Sequence, residues 1–149
     1  MIIAIREAKM KRSLLLICVG VALLGLVVAC SGGSKDGPVV HAILFYSPTC
    51  PHCHQVMNED LPPLERKYGE QLQILEVNTS TAEGQELFYA ALAHFQIDSA
   101  GVPMMIVGDI VLRGSREIPQ YLPNMIEYGL EQGGVDWPAI PDFTPPGGE

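Results

Sequence analysis

The motif Cys50-Pro51-His52-Cys53 places two thiols two residues apart. Proline is favoured at the first position of a helix, so Pro51 predicts that the motif opens one, with Cys50 at its positive end. That position stabilises a thiolate, and Cys53, one turn further on, can attack a mixed disulfide. His52 can donate to the Cys50 sulfur or pair with it when protonated. The motif predicts thiol–disulfide exchange, with Cys50 as nucleophile, Cys53 as resolving thiol and His52 adjusting the redox potential.

Hydrophobic periodicity predicts the elements that must position this motif. Apolar runs predict four strands, at Val39–Tyr46, Leu72–Val77, Met104–Val107 and Ile110–Arg113. A helix is predicted from Pro51 to Asp60, kinked or interrupted at Leu61-Pro62-Pro63 and continued over Leu64–Tyr68. Further helices are predicted at Ala82–Phe95 and Ile118–Gln132, with Pro119 in the first turn of the last one. The order β-α-β-α-β-β-α over residues 38–134 indicates one α/β domain whose first two strands are parallel.

The tail, residues 135–149, is rich in proline and glycine. Its apolar residues Val135, Trp137, Ile140 and Phe143 could dock on the domain, or the tail could be loose. The sequence leaves both alternatives open.

The first 29 residues have the layout of a bacterial secretion signal. Basic residues precede an uncharged run, Leu14–Ala29, which is followed by Cys30. Val27-Val28-Ala29-Cys30 resembles the lipobox of bacterial lipoproteins, whose cysteine is lipidated and becomes the first residue of the mature protein. An uncleaved membrane anchor is the alternative, and both predict that the body lies outside the cytoplasmic membrane. Residues 30–37, small and polar, are predicted to be a flexible tether.

The net charge of the chain limits the classes of function that it can have. Beyond residue 29 the chain has five Lys and Arg against sixteen Asp and Glu, a formal charge of −11, which argues against nucleic-acid binding.

The four cysteines leave one pair for the folded domain. Cys18 lies in the leader and Cys30 would carry lipid, so Cys50 and Cys53 remain as one pair. A disulfide that closes so short a loop constrains the unfolded chain very little, which favours a chemical role over a structural one.

The chain resembles the thioredoxin fold over nearly all of residues 38–134. The resemblance is carried by Cys-x-x-Cys at a helix start after a strand, then a βα unit, then Val102-Pro103 before a hairpin and a helix. Cys-Pro-His-Cys, and valine before the proline, resemble the DsbA-type thiol oxidases. This implies an α/β thioredoxin-like domain with a mixed four-stranded sheet flanked by helices. It also implies a cis bond before Pro103, and a substrate cleft shaped by Val102 and Pro103.

The sequence departs from the family pattern at three points. Pro103 lies only 50 positions after Cys53, which leaves no room for the helical insertion domain of DsbA enzymes. Leu44 stands where the family has a buried acid that helps to deprotonate the second thiol, and Thr49 stands where thioredoxin has tryptophan. Our hypothesis is that Glu76, on the neighbouring strand, is the proton relay that substitutes for that acid.

The resemblance implies a lipid-anchored, extracytoplasmic protein disulfide oxidoreductase of the bacterial cell envelope. Its redox centre would be the Cys50–Cys53 disulfide, with no metal and no other cofactor. Its substrates would be the thiols and disulfides of secreted or envelope proteins, and the motif favours oxidation of these substrates over their reduction. Electrons would then pass to a quinone-linked membrane partner of the DsbB or vitamin-K-epoxide-reductase type. A lipid-anchored reductase, serving for instance cytochrome c maturation, is the alternative within this class.

Metal binding is the alternative outside this class. Zinc prefers four ligands, and the chain has no second Cys-x-x-Cys and no paired histidines at ligand spacing. His54 beside Cys53, with Met57 a turn later, leaves open a role in copper binding or delivery, because soft sulfur and imidazole ligands suit Cu(I).

Overall fold

Strand β1 (Val40–Tyr46) is the buried centre of the fold in the computed structural model, which describes residues 37–146. Its apolar residues from position 42 to position 45, and Val40, have no exposed surface at all. A strand covered on both faces needs apolar side chains on both, and this explains why the sequence shows a continuous run rather than an alternation. The predicted signal, the Cys30 lipidation site and the tether up to residue 36 lie outside the described residues.

The sheet has four strands in the order β2-β1-β3-β4. Strand β2 (Leu72–Asn78) pairs with β1 in parallel, and β3 (Met104–Val107) pairs with β1 in the antiparallel sense. Strand β4 (Ile110–Arg113) completes a hairpin with β3. The predicted mixed four-stranded sheet, with no insertion domain, is therefore confirmed, and every strand lies within one residue of its predicted bounds.

The first helical stretch begins at the cysteine motif and contains a π-helical turn. Helix α1 (Pro51–Gln55), the π turn (Val56–Asp60) and helix α2 (Leu61–Tyr68) follow one another without a gap. Of the two predicted effects of Leu61-Pro62-Pro63, an interruption of the helix is therefore wrong, and the continuation over Leu64–Tyr68 is confirmed. The Leu61 amide donates to the carbonyl of Val56, five residues back, and this wider turn lies directly before the two prolines.

Two longer helices complete the fold. Helix α3 (Ala82–His94) begins where predicted, with the Thr81 hydroxyl accepting from the Gly84 amide at 3.1 Å. Helix α4 (Gly114–Glu131) begins four residues before the predicted Ile118, so Pro119 and Pro123 are both inside it and Pro119 is not in its first turn. Ile118, Leu122 and Ile126, with no exposed surface, anchor this helix despite the two missing amide donors.

The sheet separates two apolar cores. Val40, Ala42 and Leu44 face the core that contains residues of the π turn, α2 and α4, whereas Ile43 and Phe45 face the core beneath α3. This alternation along β1 fixes which helices lie on which face. No helix within residues 37–146 has the length and apolarity needed to cross a membrane.

The tail docks on the domain up to residue 146. Val135 forms a parallel bridge with Val40, and its carbonyl accepts from the His41 amide at 3.0 Å. The Trp137 ring lies 4.6 Å from the His41 ring, and Ile140 is buried in the core beneath α3. Of the two alternatives for the tail, the structure shows docking.

Candidate active site

Cys50 occupies the N-cap position of helix α1, directly after the turn that follows β1. Its backbone is extended, and its sulfur accepts a hydrogen bond from the Cys53 amide at 3.3 Å. An amide at the start of a helix has no partner within the helix, so the sulfur satisfies that donor. The side chain is half-buried. The predicted nucleophile therefore sits at the N-terminal end of the helix, with one N–H group directed at its sulfur.

Cys53 lies in a very different environment one turn further on. It has no exposed surface, and both cysteines are free thiols. Burial, followed by a hydrogen bond with the Cys50 side chain, raises the pKa of the Cys53 thiol to about 11, against a smaller lowering by the backbone of Ser47. Burial acts in this direction because it penalises the charged thiolate. The pair is thus asymmetric, with one accessible thiol and one protected thiol.

The loop before β3 brings a cis-proline to the cysteines. The Val102–Pro103 peptide bond is cis, as the family resemblance implies. The Cys50 thiol donates to the Val102 carbonyl at 3.6 Å, across 52 positions of sequence. Val102 is half-buried and Pro103 is buried, so the group that faces the Cys50 sulfur is a backbone carbonyl on a packed segment.

His52, with an exposed ring, has a partner that the sequence analysis missed. Its Nδ1 lies 3.2 Å from the Oγ of Ser115, in the first turn of α4. No local pattern could have identified Ser115, because the contact spans 63 positions and requires α4 to begin at Gly114. Pro51, next to His52, is exposed at the first position of α1, as predicted.

The two residues on which the copper alternative rests have other neighbours. The His54 Nε2 lies 2.6 Å from the Pro48 carbonyl, and Met57 packs against the core shared with α4. Within residues 37–146 no group of three or more His, Cys, Asp or Glu side chains is arranged to hold a metal ion. No observation in this part of the chain favours the copper alternative.

Glu76 lies on β2, at the edge of the sheet, and pairs in register with Leu44 of β1. Its side chain is largely exposed, although partial burial and the nearby Glu65 raise the pKa of its carboxyl group. The groups that shift the pKa of Cys53 belong to Cys50, Ser47 and Cys53 itself, and Glu76 is not among them. The proton relay therefore stays a prediction.

No protein-family model matches the chain, and no curated protein matches it. Solved structures that resemble it include a thioredoxin from Thermus thermophilus, at 22% identity and a TM-score of 0.47 over 64% of this chain and 77% of that one. Thioredoxin-2 of a malaria parasite is similar at 17% identity and a TM-score of 0.41, over 65% of this chain and 89% of that one. A further malarial protein gives 17% identity and a TM-score of 0.39, over 58% and 96%.

The asymmetry of the two thiols predicts selective alkylation. In the reduced protein, iodoacetamide should modify Cys50 first, because Cys53 is buried and its pKa is raised to about 11. Labelling of Cys53 should stay slow at neutral pH and rise only in strongly alkaline solution, where its thiolate forms. Mass spectrometry of the tryptic peptides, with single variants C50S and C53S as controls, measures both rates. Faster labelling of Cys53 than of Cys50 at pH 7 would contradict the structure.

Proposed function

We propose that this protein is a protein thiol–disulfide oxidoreductase. The observation that carries the proposal is the position of the Cys50 sulfur, half-buried at a helix start, within 3.3 Å of the Cys53 amide and 3.6 Å of the Val102 carbonyl. A reactive cysteine needs partial access, and exchange needs a second thiol within reach, and this position supplies the access. A buried second thiol one turn away supplies the resolving group.

The two thiols divide the exchange reaction between them. In the reducing direction the Cys50 thiolate attacks a substrate disulfide, forms a mixed disulfide and releases one substrate thiolate. Cys53 then loses its proton and attacks the Cys50 sulfur, which releases the second substrate thiolate and forms the Cys50–Cys53 disulfide. Two electrons pass to the substrate. The oxidising direction is the reverse, in which a substrate dithiol is oxidised and the protein pair is reduced.

The raised pKa of Cys53 has a consequence for this sequence of steps. A thiol that is protonated at neutral pH does not attack the mixed disulfide until a base removes its proton. The same protonation keeps Cys53 from reacting with solutes on its own. We propose Glu76 as the base, since the partial burial that raises the pKa of its carboxyl group also makes it a better proton acceptor when ionised.

The direction we propose is oxidation of secreted or envelope proteins. The Cys-Pro-His-Cys motif supports it, because a histidine that stabilises the reduced form makes a disulfide a stronger oxidant. A quinone-linked membrane protein of the DsbB or vitamin-K-epoxide-reductase type would then reoxidise the pair. The reductase remains the alternative within the class.

Thiol exchange by the purified protein tests this function. The wild type should catalyse the reduction of insulin by dithiothreitol, C50S should fall to the uncatalysed rate, and C53S should accumulate mixed disulfides. The variant C30S should keep the full rate, because Cys30 takes no part in the exchange. Insulin reduction by C50S at the wild-type rate would contradict the proposal.

Equilibration of the purified protein with glutathione gives the direction of the reaction. A potential near −120 mV, about that of DsbA, indicates an oxidant, and a potential near −270 mV, about that of thioredoxin, indicates a reductant.

The relay predicts a pH dependence that E76Q should remove. In the wild type the resolving step should slow as the pH falls through the raised pKa of Glu76, because the protonated carboxyl group cannot accept the Cys53 proton. At neutral pH E76Q should slow this step by about tenfold, less than the loss of a fully buried base. The control E65Q removes the neighbouring charge that raises the Glu76 pKa, so its inflection should move to lower pH. If stopped-flow kinetics give E76Q and the wild type the same pH profile, Glu76 is not the relay.

We also propose that Cys30 is lipidated and anchors the domain outside the cytoplasmic membrane. Mass spectrometry of the mature protein should find Cys30 as the first residue with acyl chains attached, and C30S should lose both the lipid and the cleavage. The variant C18S is the matched control, since it lies in the leader and should mature normally. A mature, unlipidated chain that still begins before residue 30 would support the uncleaved anchor instead.

A further inference from the structure

The hydrogen bond between His52 and Ser115 joins the cysteine motif to helix α4. The Nδ1 of His52 and the Oγ of Ser115 are 3.2 Å apart. The His52 ring is exposed, whereas Ser115 is half-buried. A hydrogen bond from a fixed serine is therefore a restraint on an otherwise solvated ring.

Ser115 is held by the same loop that carries the cis-proline. The amide of Gly114 donates to the Pro103 carbonyl at 2.8 Å, which ties the start of α4 to the cleft wall. The Glu117 carboxylate accepts from the Arg113 amide, also at 2.8 Å, and closes the first turn from the other side. Gly114 has a φ of +72°, a backbone conformation that favours glycine. The serine hydroxyl is thus presented from a rigid turn rather than from a mobile loop.

We propose that Ser115 is a positioning residue that sets the tautomer of His52, an inference that rests on the proposed thiol exchange. A hydroxyl can donate to the Nδ1 of a neutral imidazole, and the ring proton must then be on Nε2. The Nε2–H is consequently the one ring donor left for a partner other than Ser115. Without the hydroxyl, either nitrogen can carry the proton.

The tautomer can be measured without any exchange reaction. Long-range ¹H–¹⁵N NMR of the reduced full-length protein should show neutral His52 with its proton on Nε2. S115A should show both tautomers in exchange, and S115T, which keeps a hydroxyl, should retain the wild-type pattern. The control S80A removes another serine hydroxyl, in the turn before α3, and should change nothing. An unchanged His52 tautomer in S115A would overturn the proposal.

The thiol equilibrium provides the second readout. The proposed function gives His52 the role of a donor that stabilises the reduced form, so S115A should shift the glutathione equilibrium about threefold towards the Cys50–Cys53 disulfide, the scale of one partly exposed hydrogen bond. In an H52A background the same substitution should have no effect. A shift of equal size in both backgrounds would show that Ser115 does not act through His52 and would overturn the positioning role. If the wild type fails to exchange thiols while the tautomer responds as expected, the proposed function fails and the hydrogen-bond assignment stands.

Discussion

The antiparallel pairing of β1 with β3 is the constraint on which the site depends. Phe45, near the end of β1, pairs with Met104, the first residue of β3. The end of β1 that leads to Cys50 therefore lies beside the start of β3, which follows Pro103. Because both strands are buried and hydrogen-bonded over their length, the two loops have little freedom to separate. The 3.6 Å contact between Cys50 and Val102 is a consequence of strand register.

Burial then separates the roles of two chemically identical groups. Cys50 caps the helix and keeps access to solvent, whereas Cys53 faces the core one turn later and takes a raised pKa. Residues three positions apart lie on the same face of a helix, which keeps the two sulfurs close, and Cys50 keeps its access because it is at the helix start. In a pair of this kind, one sulfur can attack first while the other stays protonated until the second step. Disulfide exchange through a mixed disulfide requires this arrangement.

The start of α4 contacts both of the segments that carry the site. Gly114 binds the cis-proline loop, and Ser115 contacts His52, so one turn of helix joins the cysteine motif to the segment before β3. The π turn after α1 has a related effect at the other end of the motif, since it lets the helical stretch pass the two prolines without a gap. Both features are local irregularities held in place by the packed helices around them.

Local composition determined the strands, the start of α3 and the cysteine motif, because apolar runs, a threonine cap and a Cys-x-x-Cys spacing are properties of neighbouring residues. From these the element order, the parallel pairing of the first two strands and both cysteine positions could be inferred before any coordinates. Only the tertiary structure decided the rest. At the early start of α4, the Gly114 amide donates to the Pro103 carbonyl. The tail docks through contacts with Val40 and His41, and His52 finds its partner in a serine 63 positions away. These contacts join residues far apart in sequence, so no window of neighbouring residues contains the information that specifies them.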